Sequence, residues 1–366
     1  MRRYSDVKRG LCSKCASLGI PVSGIFELTP RCNLRCRMCY VRLTPEEMAP
    51  MGSEQTTQQW LELARTARDN GMAFLLITGG EPTLRSDFCQ LYEQLAQMGI
   101  SISINTNGTL LSEELRQLWH RLPPAQVNIT LYGTERADYE ALCGNPDAFD
   151  AVLDALDWLK REGILVHLNT TIVPTNYHKW EMLEEFAKAR GLELRMTTYC
   201  FPPNRRCGNF ERLSAEDAGQ LLVKDTLYRE GPASILRKAR DLDVAPMQRS
   251  CDLDNGEPMQ CLAGKSQFWV TWSGTMTPCA MLTRPTAYPF RDGFMTAWEQ
   301  LRQQCDAIRL CPECVNCPEQ RSCLNCAAVT FSETGDFSGK PEYMCRLNRS
   351  YREYLLQTAE KLQSHT

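Results

Sequence analysis

The sequence predicts an α/β protein: a partial (β/α)6 barrel of the TIM type, followed by a cysteine-rich C-terminal region. Two observations lead to this prediction. Between residues 24 and 200, six short apolar runs alternate with amphipathic segments, and 10 of the 19 cysteines lie between Cys251 and Cys345. A complete eight-unit barrel usually needs about 250 residues, so the roughly 175 residues present fit an open six-unit barrel better.

The six apolar runs are predicted to be strands, and the amphipathic segments between them helices. The strands are expected at residues 24–29, 73–77, 100–104, 127–131, 165–171 and 192–196. The helices are expected at residues 55–70, 87–98, 112–121, 146–162 and 178–190, with Ser86, Ser112 and Asn176 near helix starts. Strands that alternate with helices form a parallel sheet with right-handed crossovers. Functional side chains are therefore expected at the carboxyl ends of the strands.

Five regions follow from this pattern. We expect an N-terminal extension at residues 1–23, the barrel at 24–200, a bridging helical region at 201–250, the cysteine-rich domain at 251–350 and the end of a C-terminal helix at 351–366. Residues 201–206 are predicted to break the chain. Helical stretches are predicted at about 214–240 and 346–363.

The composition excludes several classes of protein. Hydrophobic residues make up 43% of the chain and charged residues 23%, as in an ordinary globular protein. The net charge of -3 gives no field that would attract nucleic acid or acidic lipid. Because no apolar run approaches the length of about 18–20 residues that spans a membrane, and the first residues lack a secretory signal, a cytoplasmic protein is expected. An odd number of cysteines in such a chain favours thiolates that hold metal over a disulfide scaffold.

The first candidate metal site follows the first predicted strand. Cys32, Cys36 and Cys39 are spaced so that one loop can wrap a metal centre. Three thiolates leave one iron of a 4Fe–4S cube without a protein ligand, and an open iron can bind a small molecule. A structural zinc site, with Cys12 and Cys15 upstream, is the alternative. The segment Thr78-Gly79-Gly80-Glu81-Pro82 at the end of the second strand favours the cluster, because glycines admit a ligand and a carboxylate accepts from an ammonium group.

These motifs, with Met38 just before the last cysteine, resemble the radical S-adenosylmethionine (radical SAM) superfamily. The resemblance implies that the open iron chelates SAM, and that reductive cleavage of SAM releases a 5′-deoxyadenosyl radical that abstracts hydrogen from the substrate. It also implies a set of SAM contacts: Met38, Gly79, Gly80, Glu81, Asn105, Asn107, Thr130 and Asn169. Arg195 is a further candidate to hold a carboxylate of SAM or of the substrate, and a solvated or core-paired arginine is its alternative. Tyr132 and His167 lie on the same strands. The sequence does not identify a catalytic acid or base.

A second group of cysteines begins with a predicted hairpin. Two short strands are expected to meet around residues 272–274 and to bring Cys261 and Cys279 together. A run of five cysteines then follows from Cys311 to Cys326, and Cys345 precedes the last helix. Paired close spacings with distant completing ligands are typical of proteins that hold several iron–sulfur clusters, and zinc ribbons are the alternative.

This region resembles the SPASM domain, which carries two auxiliary 4Fe–4S clusters in many radical SAM maturases. By resemblance, Cys261, Cys279 and Cys326, together with Cys251, hold the first auxiliary cluster. The resemblance assigns four ligands to the second: Cys314, Cys317, Cys323 and Cys345. The pattern departs from the family at Cys326, which follows Cys323 after two residues instead of three. This departure and the extra Cys305 and Cys311 leave the assignment open, and without Cys251 the first auxiliary cluster has an open iron that could bind a substrate thiolate.

The resemblance implies a net oxidation, since auxiliary clusters can accept an electron or orient a substrate. The expected substrate is a ribosomally made peptide, in which a thioether or carbon–carbon crosslink forms. Ala280 stands where sulfatase maturases carry an aspartate, which argues against that activity. Because 31 residues precede Cys32, leader recognition is expected from a separate leader-binding protein, from the barrel rim, or not at all. A flavodoxin or ferredoxin is the expected reductant. Two alternatives remain: a radical SAM enzyme that acts on a sugar or cofactor precursor, and an iron–sulfur or zinc redox sensor.

Overall fold

The computed structural model describes residues 4–202, 211–242, 256, 258–315, 317, 319–320 and 322–364 of the chain. Predicted features at Cys251 and at most of residues 201–206 lie outside these ranges. The described strands form one sheet in the order β6-β5-β4-β3-β2-β1-β7-β8. Their bounds are β1 Ser23–Glu27, β2 Phe74–Thr78, β3 Ser101–Thr106, β4 Gln126–Thr130, β5 Val166–Thr171, β6 Glu193–Thr197, β7 Gln267–Val270 and β8 Met276–Thr277.

The six predicted barrel strands are confirmed as β1 to β6, and neighbouring strands among them are parallel. Helices follow them in the predicted alternation. The helices of the barrel part are α1 Tyr4–Leu18, α2 Pro45–Met48, α3 Thr57–Asp69, α4 Phe88–Ala96, α5 Glu113–Arg121, α6 Arg136–Cys143, α7 Ala148–Arg161 and α8 Trp180–Ala189. The later helices are α9 Ala215–Glu230, α10 Pro232–Leu242, α11 Pro289–Asp292, α12 Phe294–Asp306, α13 Pro312–Val315, α14 Ala327–Thr334 and α15 Glu342–Ser364.

Local sequence explains where several helices begin and end. Ser112 caps α5 by accepting from the backbone N–H of Leu115 at 3.2 Å. By contrast, Ser86 does not start α4, because Asp87 occupies the cap position. The helical stretch predicted at 214–240 is two helices, since Gly231 has a left-handed φ of 77° and the proline after it cannot continue the hydrogen-bonding of α9.

The two faces of the barrel sheet differ in polarity. Ile104, Val127 and Leu168 lie on the face that packs against the helices, and all three are completely buried in the main apolar core. On the other face, Asn105 pairs in register with Asn128, and the Asn128 side-chain amide donates to the Asn105 oxygen at 2.8 Å. The helices therefore supply the apolar core, while the interior of the barrel is lined by polar groups.

The predicted C-terminal hairpin is confirmed and has a place in the barrel sheet. Strands β7 and β8 pair in antiparallel fashion, and β7 also pairs in parallel with β1. The cysteine-rich region thereby adds two strands to the edge of the barrel sheet. In the part of the chain described above, no helix is both long and apolar enough to cross a membrane.

Helix α1 contains the upstream cysteine pair. Cys12 and Cys15 are buried in a small apolar cluster with Val22 and Phe74. Burial raises the pKa of Cys12, so its thiol keeps its proton at neutral pH. This environment fits plain packed thiols.

Candidate functional site

A loop after β1 carries the three cysteines of the first motif. The backbone N–H groups of Arg35 and Arg37 donate to the carbonyls of Cys143 and Leu142, both at 3.0 Å. These carbonyls belong to the carboxyl end of α6, where a helix leaves its last acceptors without partners. The loop and this helix, which sequence analysis missed, therefore hold each other in place around Cys36.

The three cysteine side chains line one cavity of about 220 Å³ at the carboxyl ends of β2 to β5. Polar strand ends and loop residues complete the lining. Besides Cys32, Cys36 and Cys39, the lining consists of Leu34, Met38, Tyr40, Val41, Thr78, Gly79, Gly80, Asn105, Thr106, Asn107, Asn128, Thr130, Tyr132, Asn169 and Thr171. Seven of the predicted SAM contacts are thus brought together: Met38, Gly79, Gly80, Asn105, Asn107, Thr130 and Asn169.

Each of the three sulfurs lies next to a hydrogen-bond donor of the protein. The backbone N–H of Leu34 donates to the Cys32 sulfur at 3.4 Å, and the backbone N–H of Arg42 donates to the Cys39 sulfur at 3.3 Å. The Cys36 sulfur lies 2.9 Å from the hydroxyl oxygen of Tyr132. Such donors stabilise the negative charge that thiolates carry when they bind metal.

The three cysteines of the cavity form a donor set that suits a metal group. Burial raises the pKa of Cys32 to about 11, and burial raises the pKa of Cys36 well above its ordinary value. Both thiols therefore keep their protons at neutral pH unless a positive charge binds beside them. Thiolates are soft ligands that iron–sulfur clusters prefer, so this donor set fits an iron–sulfur cluster.

The two glycines after β2 are required by the protein's own backbone. A Cβ atom at Gly79 would lie 2.6 Å from the carbonyl oxygen of Thr29, and one at Gly80 would lie 2.3 Å from that of Arg31. Because the backbones lie so close, the Gly80 N–H donates to the carbonyl oxygen of Thr29 at 2.7 Å, and the Glu81 N–H donates to that of Arg31 at 2.8 Å. The glycines thus bring the end of β2 against the beginning of the cysteine loop.

The Glu81 carboxylate is completely buried and does not belong to the cavity lining. It accepts from the backbone N–H of Asn107 at 2.7 Å, from the Thr106 hydroxyl at 2.9 Å and from the Thr83 hydroxyl at 2.6 Å. Burial raises its pKa, and these hydrogen bonds oppose the rise. Direct contact between Glu81 and SAM stays a prediction. In the structure, Glu81 fixes the ends of β2 and β3, and with them the position of Asn107.

Two further candidates lie outside the lining of the cavity. Arg195 on β6 is half-exposed, and its guanidinium lies 3.6 Å from Glu193. His167 on β5 is buried, and its Nδ1 atom has no hydrogen-bond partner among the residues that the structure describes. Burial lowers the pKa of His167, and Arg195 lowers it further. Both side chains lie beside the Glu193 carboxylate, His167 Nε2 at 3.6 Å and the Arg195 guanidinium at 3.6 Å.

Sequence analysis missed Asn128 and Cys143. Asn128 lies two residues before Thr130, on the same face of β4, so the period of two in a strand could have revealed it. Cys143 is near Cys32, and burial raises its pKa to about 11. No local signal could have placed Cys143 there, because the contact depends on how α6 packs against the cysteine loop.

Three of the cysteines predicted to hold the first auxiliary cluster, Cys261, Cys279 and Cys326, lie close together beside the β7–β8 hairpin. Burial raises the pKa of Cys279 to about 11, and the neighbouring thiols of Cys326 and Cys261 raise it further. Cys305, on α12, also belongs to this neighbourhood. Burial raises the pKa of Cys305 to about 12, and its sulfur packs against the turn at Gly264.

The second group of cysteines brings the run after α12 close to Cys345, which lies near the start of α15. Burial raises the pKa of Cys314 to about 12, and the nearby thiols of Cys311 and Cys345 raise it further. Cys317 lies close to both Cys323 and Cys345. The five thiols that the structure gathers here therefore include Cys311, which stands outside the predicted ligand set.

Among the residues with described positions, no three His, Cys, Asp or Glu side chains are close enough together to hold one metal ion. One zinc ion draws its thiolates to about 2.3 Å, whereas a 4Fe–4S cube holds each thiolate on a different iron.

Comparison with known proteins relates part of this chain to a family. Residues 26–188 match the Radical SAM superfamily. The AdoMet-dependent heme synthase of Nitratidesulfovibrio vulgaris is 23% identical over 328 residues, which cover 85% of this chain and 88% of that protein. The antilisterial bacteriocin subtilosin biosynthesis protein AlbA of Bacillus subtilis is 24% identical over 319 residues, which cover 84% of this chain and 67% of that protein.

A solved structure has the same fold over nearly the whole length of this chain. Native anSMEcpe with bound AdoMet and Cp18Cys peptide superposes with a TM-score of 0.66 at 16% sequence identity, and the match covers 94% of this chain and 100% of that chain. The TIM-type partial barrel predicted from the sequence is thereby confirmed. This chain contains a radical SAM domain, which residues 26–188 form.

Proposed function

We propose that this radical SAM enzyme is an oxidoreductase in which Cys32, Cys36 and Cys39 hold a 4Fe–4S cluster with one open iron. The observation that carries the proposal is that one cavity is lined by all three sulfurs, each beside an N–H or O–H group. When bound, the cluster and SAM supply a 5′-deoxyadenosyl radical that takes a hydrogen atom from the substrate. The chain's own residues bind, orient and enclose this pair.

The polar strand ends suit the binding of SAM. Asn105, Asn107 and Asn169 offer amide donors and acceptors for the ribose and the methionyl part of SAM, and Thr130 adds a hydroxyl. Gly79 and Gly80 expose backbone groups to the cavity, and Met38 covers it from the cysteine loop. We assign Arg195 to a carboxylate of SAM or of the substrate, because its register partner on β5 is the cavity residue Asn169.

The cysteine groups of the C-terminal region are proposed as ligands of two auxiliary 4Fe–4S clusters in a SPASM domain. The first set is Cys251, Cys261, Cys279 and Cys326, and the second is Cys314, Cys317, Cys323 and Cys345. The proximity of the described members of each set supports this assignment. Pairing of β7 with β1 supports an electron-transfer role, since it ties the first set to the barrel.

A ribosomally made peptide is the proposed substrate, and a thioether or carbon–carbon crosslink is the proposed product. The similarity to AlbA, a protein of bacteriocin biosynthesis, and to anSMEcpe, which was solved with a bound peptide, supports this choice. Auxiliary clusters suit a net oxidation, because they can accept the electron that remains after the new bond forms. A flavodoxin or ferredoxin as reductant and a separate leader-binding protein complete the proposal.

A second candidate substrate is a tetrapyrrole, a cofactor precursor. The similarity to AdoMet-dependent heme synthases over 85% of this chain favours it. Oxidation of such a ring would use the same hydrogen abstraction, with the electron passed to an auxiliary cluster. The two candidates therefore differ in the substrate and not in the chemistry of the first step.

The enzyme assignment is tested by the release of 5′-deoxyadenosine from SAM after anaerobic reconstitution and dithionite reduction. Wild-type protein is expected to hold about 12 iron atoms and to cleave SAM. Cys36→Ala should abolish cleavage, whereas Cys89→Ala, a change on α4 away from the cavity, should leave it intact. Equal cleavage by Cys36→Ala and wild type would refute the assignment of this cysteine as a cluster ligand.

The substrate is tested by mass spectrometry on two classes of candidate. A short cysteine-rich peptide encoded beside the gene should lose the mass of two hydrogen atoms per crosslink on co-expression with the wild-type protein, and should stay unchanged with Cys36→Ala. Iron coproporphyrin incubated with reduced protein and SAM should keep its mass. A changed mass of the porphyrin, with no change in the peptide, would replace the peptide proposal by the tetrapyrrole one.

A further inference from the structure

We infer that the Tyr132 hydroxyl donates a hydrogen bond to the sulfur of Cys36 in the loaded protein and raises the reduction potential of the cluster held there. The inference rests on the proposed cluster at the first motif. The Tyr132 oxygen lies 2.9 Å from the Cys36 sulfur, across 96 residues of sequence. It is a contact between the segment after β4 and the loop after β1.

The direction of this hydrogen bond follows from the chemistry of the two groups. A cysteine sulfur that binds iron has lost its proton and can only accept. A tyrosine hydroxyl carries one proton that it can donate, and its ordinary pKa of about 10 keeps it protonated at neutral pH. The O–H group therefore becomes the donor once Cys36 is a thiolate.

The surroundings of Tyr132 fix the position of its ring. The ring packs edge-to-face on Tyr139, with the ring centres 5.6 Å apart. The preceding residue, Leu131, donates from its backbone N–H to the carbonyl of Asn169 at 2.8 Å and so extends the β4–β5 pairing. Because neighbouring groups hold the ring and the backbone, the hydroxyl is preorganised to meet the sulfur.

The donor at Cys36 is a side-chain hydroxyl. Cys32 accepts from the backbone N–H of Leu34 at 3.4 Å and from the Asn107 side-chain amide at 3.7 Å, and Cys39 accepts from the backbone N–H of Arg42 at 3.3 Å. The Tyr132 donor is its side-chain hydroxyl, so Tyr132→Phe removes that one oxygen atom and leaves the backbone as it is. The chain thus offers a direct test of what one hydrogen bond to this sulfur contributes.

The expected effect follows from where the charge goes on reduction. An external reductant adds one electron, and part of the added negative charge lies on the cysteine sulfurs. A donor aimed at a sulfur stabilises the reduced form more than the oxidised form, which raises the reduction potential. Tyr132 is therefore a positioning residue that makes the cluster easier to reduce.

The test is an anaerobic redox titration of wild type and Tyr132→Phe, followed by electron paramagnetic resonance (EPR). The signal that changes when SAM is added identifies the cluster of the first motif among the three. At a fixed solution potential, the ratio of reduced to oxidised cluster should fall by up to about tenfold in Tyr132→Phe, which equals about 59 mV for a one-electron couple. Tyr139→Phe is the matched control. It removes a neighbouring buried hydroxyl that makes no hydrogen bond to a sulfur among the residues described, and should leave the ratio unchanged.

A second variant keeps the test decisive if Tyr132→Phe fails to hold its cluster. Replacing Tyr132 by 3-fluorotyrosine retains the hydroxyl and makes it a stronger donor, so the ratio of reduced to oxidised cluster should rise. An unchanged or lower ratio in that protein, or an unchanged ratio in Tyr132→Phe, would overturn the inference and leave the proposed function standing. Absence of any SAM-responsive signal in wild type would instead overturn the proposed function.

Discussion

The indole N–H of Trp269 donates a hydrogen bond to the Glu27 carboxylate at 3.0 Å. Trp269 belongs to β7 of the cysteine-rich region, and Glu27 ends β1 of the barrel, shortly before the loop of the first motif. Both side chains are buried. This contact therefore ties the two proposed cluster-bearing parts of the chain together at the point where their strands pair.

A double-mutant cycle should show that this contact couples the two regions. Trp269→Phe removes this indole donor from the buried Glu27, and Glu27→Gln removes the charge of the acceptor. The two changes are expected to share about 1 kcal/mol or more of unfolding free energy, the usual contribution of a hydrogen bond to a charged group. Denaturant unfolding of wild type, both single variants and the double variant measures the coupling. Effects that add to within about 0.4 kcal/mol would show that the bond contributes nothing.

Gly80→Ala should disrupt the cysteine loop. The new Cβ atom would lie 2.3 Å from the carbonyl oxygen of Arg31, and a backbone atom cannot move aside without shifting the loop. We expect a loss of about 1–3 kcal/mol in unfolding free energy, and a lower iron content after reconstitution. Gly10→Ala is the matched control, because it meets no atom within 4 Å and lies inside α1, where alanine is favoured. Full iron loading and stability in Gly80→Ala would contradict the proposed packing.

Glu81→Gln should weaken SAM binding by disturbing the ends of β2 and β3. The amide would present N–H groups where the carboxylate now accepts from Asn107 and Thr106, and one buried donor would lose its partner. A cost of about 1–3 kcal/mol corresponds to an increase of about tenfold or more in the dissociation constant of SAM, measured by equilibrium binding to reconstituted protein. Glu93→Gln, at an exposed ion pair with Arg121, should bind SAM as wild type does. An unchanged dissociation constant in Glu81→Gln would contradict this role.

The sequence predicts most of the barrel because its strands have an apolar face that must pack on helices, as at Ile104 and Val127. It also predicts the cavity residues that directly follow strands, because carboxyl ends of parallel strands share one edge. It could not predict that β7 pairs with β1, since backbone edges carry no side-chain signal. Nor could it show that the Glu81 carboxylate accepts hydrogen bonds from Thr106 and Asn107, because those bonds depend on the spacing between the ends of β2 and β3.

His167 should make stability depend on pH. Burial lowers the pKa of His167 in the folded protein, and Arg195 on β6 lowers it further while Glu193 on β6 opposes the shift. The unfolded chain therefore binds a proton near its ordinary pKa of about 6.5, while the folded chain stays neutral. Unfolding free energy should fall as the pH drops below that value and recover as it rises. His167→Gln should reduce this slope, and His178→Gln, at an exposed position, should not. Equal slopes in wild type and His167→Gln would refute the prediction.

The central claim is that the three sulfurs of the first motif hold one cluster to which SAM binds directly. The most direct measurement is the EPR spectrum of dithionite-reduced wild-type protein, recorded before and after SAM is added. The account predicts a cluster signal whose g values shift with SAM, and the absence of that response in a variant with Cys32, Cys36 and Cys39 all changed to alanine. A spectrum that SAM leaves unchanged, or a response that persists in the triple variant, would contradict it.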